Sequence, residues 1–175
     1  MSEYFDKVDH NDQVIGKVSR KQAHQFNLMH RAVHIFLQDQ QGKWLLQKRS
    51  AKKDVDPLLW TTSCSGHVDS GESYLDAAIR ECDEELGLRI SSRDLIEIFR
   101  CSPCKETGME FVRVYFIDKV FHQLSPSPEE IEKLHFYKLG DLLNKCTNHE
   151  TEFSVSFLHI FRLVQWKLHN YSKES

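Results

Sequence analysis

The chain has 175 residues, with 23 Lys+Arg against 26 Asp+Glu and a formal net charge of -3. That length suits a single domain, large enough to bury roughly 70% of its unfolded surface without a disulfide or metal staple. With 40% apolar and 28% charged residues, 7 Gly and 4 Pro, it is neither collagen-like nor of low complexity, and without a basic excess it is not expected to bind nucleic-acid polymers.

The start, Met1-Ser-Glu-Tyr-Phe-Asp6, has neither the basic nor the apolar region of a signal peptide. Apolar runs fall short of the ~18 residues of a membrane helix, so no membrane contact is expected. Five cysteines make an odd count, unlike a secreted disulfide scaffold, and a reduced, cytoplasmic protein is the expectation. Residues 1–7 and 171–175 read as flexible ends of one domain spanning 1–175.

Val14–Val18 predicts a short strand. Ala32–Leu37 is a β-branched apolar run, Gln38–Gly42 a polar turn, and Trp44–Arg49 reads as the hairpin partner. Asp54–Pro57 is a loop, because proline disfavours helix before it. Trp60–Cys64 is a short strand. Residues 73–87 carry the clearest helix signal: Leu75, Ala78, Ile79, Cys82 and Leu86 form one stripe, Ser70 or Ser73 can cap its start, and Gly87 ends it. Leu95–Cys101 and Phe111–Val120 read as strands, Pro126–Pro128 as a turn, Ile131–Tyr137 as a strand. Gly140–Lys145 predicts a short helix and Phe153–Leu168 a longer one. The interleaving predicts an α/β (α+β) fold with a mixed sheet between helices.

Cys101-Ser-Pro-Cys104 spells C-x-x-C, but no second Cys/His pair stands at ligand spacing, and a strand rather than a helix surrounds it. It reads as incidental. His34, in an apolar strand, reads as a hydrogen-bonded sheet residue, and His122, His149 and His169 as surface residues. Trp60, Phe36, Phe111, Tyr115 and Phe116 read as core before substrate contacts.

The chemistry concentrates on the 73–87 helix. Glu81 and Glu85, four apart, stack on one side, taken as the face opposite the apolar stripe, with Glu84 about 100° from Glu85. Like charges at this spacing, near the negative end of the helix dipole, each cost a few tenths of a kcal/mol. A hard divalent cation such as Mg²⁺ relieves both penalties.

The segment Gly66-His-Val-Asp-Ser-Gly-Glu72, then seven residues, then Arg80-Glu81-Cys82-Asp83-Glu84-Glu85-Leu86-Gly87-Leu88 resembles the Nudix box, G-x5-E-x7-R-E-U-x-E-E-x-G-U. Every fixed letter is met. At ~7% per residue, seven fixed letters coincide by chance on the order of once in 10⁸ windows. The box spans 66–88, and the resemblance extends over about residues 8–170. It implies an α/β/α sandwich and Mg²⁺- or Mn²⁺-dependent hydrolysis of a diphosphate in a small phosphorylated substrate. Glu81, Glu84 and Glu85 are the implied metal ligands, with an oxygen from Gly66. Arg80 and Glu72 are the implied structural ion pair. The general base is left open, with Glu110, Glu129 and Glu130 as candidates.

His30-Arg-Ala-Val-His-Ile-Phe-Leu37, Leu45–Arg49, Trp60–His67 and Gly71-Glu-Ser73 are further similar to the isopentenyl diphosphate isomerase branch of that superfamily. This implies a second metal cage of His24, His30, His67 and Glu110, with Arg49 and Lys53 on the diphosphate. The chain departs from that branch at Ser65, where isomerases carry the catalytic cysteine, at Val68 for a proline, and at Gly108 for a second acidic ligand. Cys64 stands one step earlier, on the opposite face of a strand. The expectation is an isomerase-like Nudix hydrolase, with the isomerase itself and a non-catalytic phospholigand-binding module as alternatives. A homodimer is expected only because closed twofold assemblies are common.

Overall fold

The computed structural model describes residues 3–117, 121 and 123–171. In chain order the elements are β1 (Tyr4–Val8), β2 (Val14–Ser19), α1 (Arg20–Gln25), β3 (His30–Leu37), β4 (Trp44–Arg49), β5 (Trp60–Thr61), β6 (Cys64–His67), α2 (Tyr74–Leu86), β7 (Leu95–Cys101), β8 (Glu110–Ile117), β9 (Ile131–Tyr137), α3 (Leu139–Asn148) and α4 (Val155–Tyr171). A four-stranded sheet runs β6-β3-β8-β7, with β3 and β8 parallel and the other pairs antiparallel. A three-stranded antiparallel sheet runs β5-β4-β9, and β1-β2 forms a separate hairpin.

Strand alternation divides the core into two layers. Ala32 and Phe36 of β3, with Trp44 and Leu46 of β4, meet Leu142 of α3 and Phe157, Phe161 and Val164 of α4. Val33, Ile35 and Leu37, with Leu45, meet Ala77, Ala78, Cys82 and Leu86 of α2. The sheets therefore lie between α2 on one side and α3 and α4 on the other, the α/β/α arrangement expected. Trp60, Phe36, Tyr115 and Phe116 are core as expected, whereas Phe111 is only half-buried. Among the described residues no helix is long and apolar enough to cross a membrane.

Several expectations are corrected. β3 and β4 flank the expected turn but touch as strands only at the Gln38–Trp44 bridge, then splay into different sheets. The Trp60–Cys64 strand is two strands, because the chain changes sheet at Thr62-Ser63, where the Ser63 hydroxyl bonds the backbone of both Leu37 and Leu45. Residues 4–7 of the expected flexible start are in β1, and Tyr171 ends α4. Residues 1–2, 172–175, the expected end of the Phe111 strand at 118–120, and His122 lie outside the described residues. His149 and His169 are exposed.

Helix α2 starts at Ser73, whose hydroxyl accepts from Asp76 N at 3.1 Å, a cap worth about 1 kcal/mol. It ends at Gly87, whose φ of 61° returns amide hydrogen bonds to the last turn. The buried stripe is rotated from the expected one: Leu75 is 40% exposed while Ala77 is buried.

Candidate active site

That rotation moves the glutamates. Glu81 and Glu85 are not opposite the apolar stripe but directly beside it, three and seven residues after buried Ala78. Glu85 is buried, and its carboxylate accepts from Gln47 Nε2 at 2.6 Å and from Ser65 N at 3.2 Å. Burial raises its pKa against the opposing hydrogen bonds of Cys64, Gln47 and Ser65. Burial, then the charge of Glu85, pushes Glu81 up to about 8, against the pull of Arg80. Glu84 is the exposed member.

Arg80 braces this cluster. Its Nε and Nη2 each donate at 3.0 Å to the two oxygens of Glu72, Nη2 also donates to the His67 carbonyl at 2.9 Å, and Nη1 reaches Glu81 at 2.7 Å and Glu84 at 3.1 Å. The planar fork suits this multiple engagement better than an ammonium. Gly66 is required by proximity: a Cβ there would lie 2.0 Å from Glu81 Oε1.

A second cluster adjoins the first. His24 of α1, His30 of β3, His67 of β6 and Glu110 at the start of β8 offer ligand atoms all within 4.8 Å of one another. His30 and Glu110 are register partners in the parallel pair β3-β8, while Ala32 pairs with His67 across β3-β6. His30 Nδ1 donates to the Leu28 carbonyl at 2.8 Å, which fixes the tautomer and leaves the buried Nε2 without a hydrogen-bond partner, 3.5 Å from Glu110 Oε1. His67 Nε2 lies 3.1 Å from the same oxygen. Burial opposes ionisation of Glu110, but the neighbouring His67 and His30 hold its carboxyl well below the usual range. Burial, then the neighbouring His67 and His30, lowers His24 to about 4, so it is neutral at pH 7. Phe5 stacks on His30 and His67 at centroid distances of 5.3 and 4.5 Å and forms the apolar wall of the cage.

Glu81, Glu84 and Glu85, with His24, His67 and Glu110, line one cavity of about 500 Å³, which also receives Arg49, Lys53, Arg20, Glu130 and His34, while His30 is buried behind it. Lys53 pairs with Glu130, and Arg49 Nε donates to the Val55 carbonyl at 3.0 Å. Glu129 instead pairs with Lys52 at the surface. His34 is buried and bonds Thr62 Oγ1 at 3.0 Å, as read from its strand. The sequence reading missed Phe5 and Arg20. Phe5 lies in a bulged strand whose burial does not alternate, so no period-2 signal marks it. Arg20 opens a six-residue helix, whose only advance signal is the Ser19/Gln22 capping box.

The residues fit divalent cations. Two buried carboxylates repel each other, a buried imidazole nitrogen faces a carboxylate unpaired, and the Gly66 position admits nothing larger than hydrogen. Ser65 lines the cavity, whereas Cys64 is fully buried in the α2 layer and its thiol is raised well above its ordinary pKa by burial and its neighbours Cys82 and Glu85. At Gly108 no side chain reaches the cage, and a Cβ there would stand 3.9 Å from Glu110 Oε1.

Comparison with known proteins adds the following. A NUDIX domain family model matches residues 28–157. An isopentenyl-diphosphate delta-isomerase of Serratia proteamaculans is 34% identical over 164 residues, 93% of this chain and 91% of that protein. An uncharacterised Nudix hydrolase of Streptomyces coelicolor is 42% identical over 166 residues, 94% of this chain and 90% of its own. A crystal structure of a Deinococcus radiodurans protein is similar with a TM-score of 0.80 at 27% identity, covering 92% of this chain and 98% of that one.

Proposed function

This chain belongs to the Nudix family, and from that premise we propose that it is a metal-dependent hydrolase cleaving the P–O–P bond of a nucleoside or other organic diphosphate. The observation that carries the reading is the gathering of Glu81, Glu84, Glu85, Arg49 and Lys53 around one cavity which, among the described residues, no cysteine lines.

In this reading Glu81, Glu84 and Glu85, with the Gly66 carbonyl, hold Mg²⁺ or Mn²⁺. His24, His30, His67 and Glu110 hold a second cation. The chemistry supplied by bound metal is charge neutralisation at the phosphate oxygens and activation of water. Arg49 and Lys53 bind and orient the diphosphate, the guanidinium as a two-pronged donor and the ammonium as a point charge. Arg80 and Glu72 position Glu81 and Glu84 and touch no reacting atom. Glu110, engaged by two imidazoles, serves the cage rather than acting as a free base.

The second reading is the isoprenoid isomerase, favoured by the 34% identity over nearly the full chain and by the His/Glu cage. Against it stands Ser65, since a hydroxyl is a far weaker acid than a thiol and a poor group for proton transfer to carbon. A ³¹P NMR time course with Mg²⁺ separates the two, using nucleoside di- and triphosphates, dinucleotides and isopentenyl diphosphate. Loss of a P–O–P signal, abolished in Glu81→Gln, is the expected result. Conversion of isopentenyl to dimethylallyl diphosphate without cleavage establishes the isomerase instead.

A further inference from the structure

Cys101 is the last residue of β7 and is buried; Cys104 follows in the loop leading to β8. The sequence offers no partner within reach of this pair, but the fold brings one from 55 residues downstream. His159 of α4 sets its Nε2 3.5 Å from Cys104 Sγ and 3.8 Å from Cys101 Sγ, and the three ligand atoms lie within 4.8 Å of one another. With Zn–S near 2.3 Å and Zn–N near 2.0–2.1 Å at tetrahedral angles, neighbouring N and S ligands stand about 3.6 Å apart. The observed separations match that spacing. None of the three residues lines the cavity described above.

We propose that Cys101, Cys104 and His159 form a zinc site of the Cys₂His type, separate from the active site. Thiolate and imidazole select zinc, whereas the carboxylates of α2 select Mg²⁺ or Mn²⁺, so one chain sorts two classes of metal by ligand softness. Each thiol releases its proton as its sulfur binds. The site ties α4 to the β7–β8 connection. Thr107 carries that tie onward, bonding the carbonyls of Cys104 and Glu110, and Glu110 belongs to the cage. Its role is to hold the loop that delivers Glu110.

The test is Co²⁺ titration of the reduced, chelator-stripped full chain, followed by optical absorption. Thiolate-to-cobalt charge-transfer absorption arises only where sulfur ligates, so the carboxylate and histidine clusters are silent. The expected result is a thiolate band that saturates at about one Co²⁺ per chain and disappears on adding Zn²⁺. It is lost in Cys104→Ser and retained in His67→Ala. In His159→Gln the half-saturating Co²⁺ rises about tenfold or more, which keeps the proposal testable should Cys104→Ser not fold. Absence of a thiolate band in the wild-type chain, or its survival in Cys104→Ser, overturns the proposal. So does a Cys101–Cys104 disulfide in protein purified under reducing conditions.

Discussion

The glutamate cluster and the histidine cage share a cavity but are built in opposite ways. Glu81, Glu84 and Glu85 come from five consecutive residues of one helix, so their mutual geometry exists as soon as α2 forms. His24, His30, His67 and Glu110 come from a helix and three strands, and meet only after the β6-β3-β8 sheet is assembled. The first cluster concentrates charge and relies on Arg80 to hold it. The second sets three imidazoles around one ionised carboxylate and relies on packing. Substitutions in the helix should therefore act on chemistry with the fold intact, while those in the cage should act on metal retention and, through Phe5 and the sheet, on folding.

The sharpest way to break this contrast is Glu81→Gln. Turnover should fall about a thousandfold or more, the loss of several kcal/mol of metal-borne charge stabilisation. The fold should survive by circular dichroism. A pH effect accompanies it. Glu81 is raised from 4.5 to about 8, so its contribution is intact below pH 4.5 and lost as pH rises through 8. In chelator at pH 8 the Gln variant should melt higher than wild type, and in Mg²⁺ it should gain less from the metal. A wild-type melt higher in chelator at pH 8 would sink the strained-carboxylate account.

Gly66→Ala should come next, at about a hundredfold in turnover with a stability loss of about 1–3 kcal/mol, because the added methyl occupies the place of the Glu81 carboxylate. Denaturant unfolding beside steady-state kinetics checks both numbers. His67→Ala should lower Mn²⁺ occupancy, measured by equilibrium dialysis, and reduce turnover by only about 10–100-fold. A loss as deep as that of Glu81→Gln means the two clusters work as one site, and the contrast collapses.

The smallest effect at neutral pH belongs to His34. Burial lowers it from 6.5 to about 4. Its unfolded form therefore takes up a proton first as pH falls, and about 3 kcal/mol of stability is lost between pH 6.5 and 4, with none lost above. His34→Gln should flatten urea midpoints across that window; an unchanged slope assigns the acid sensitivity elsewhere.

Helix α2 was legible because every determinant is local: the Ser73 cap, the spacing of Ala78, Cys82 and Leu86, and the Gly87 stop. Even there the sequence mistook which face the glutamates share. Leu75 looked like a core residue and is exposed, while Ala77 gives little hydrophobic signal and is buried. The shift brings Glu81 and Glu85 from an imagined solvent face onto the border of the core. Strand pairing was less legible. Alternation marks β3 and β4, but their sheet membership depends on which neighbours bury each face, and Thr62-Ser63 gives no sign that the chain changes sheet there.

The sequence by itself determined the family, the helix that carries the carboxylates and the residue types of the cage, because the box is contiguous and its spacing is set by helical geometry. Only the tertiary structure decided that His24, His30, His67 and Glu110 converge, that Phe5 walls them, that Cys64 is sealed away while Ser65 faces the cavity, and that His159 completes the Cys101–Cys104 pair. Those outcomes depend on contacts across as many as 86 residues of chain, set by sheet register and core packing. No local pattern encodes such distances.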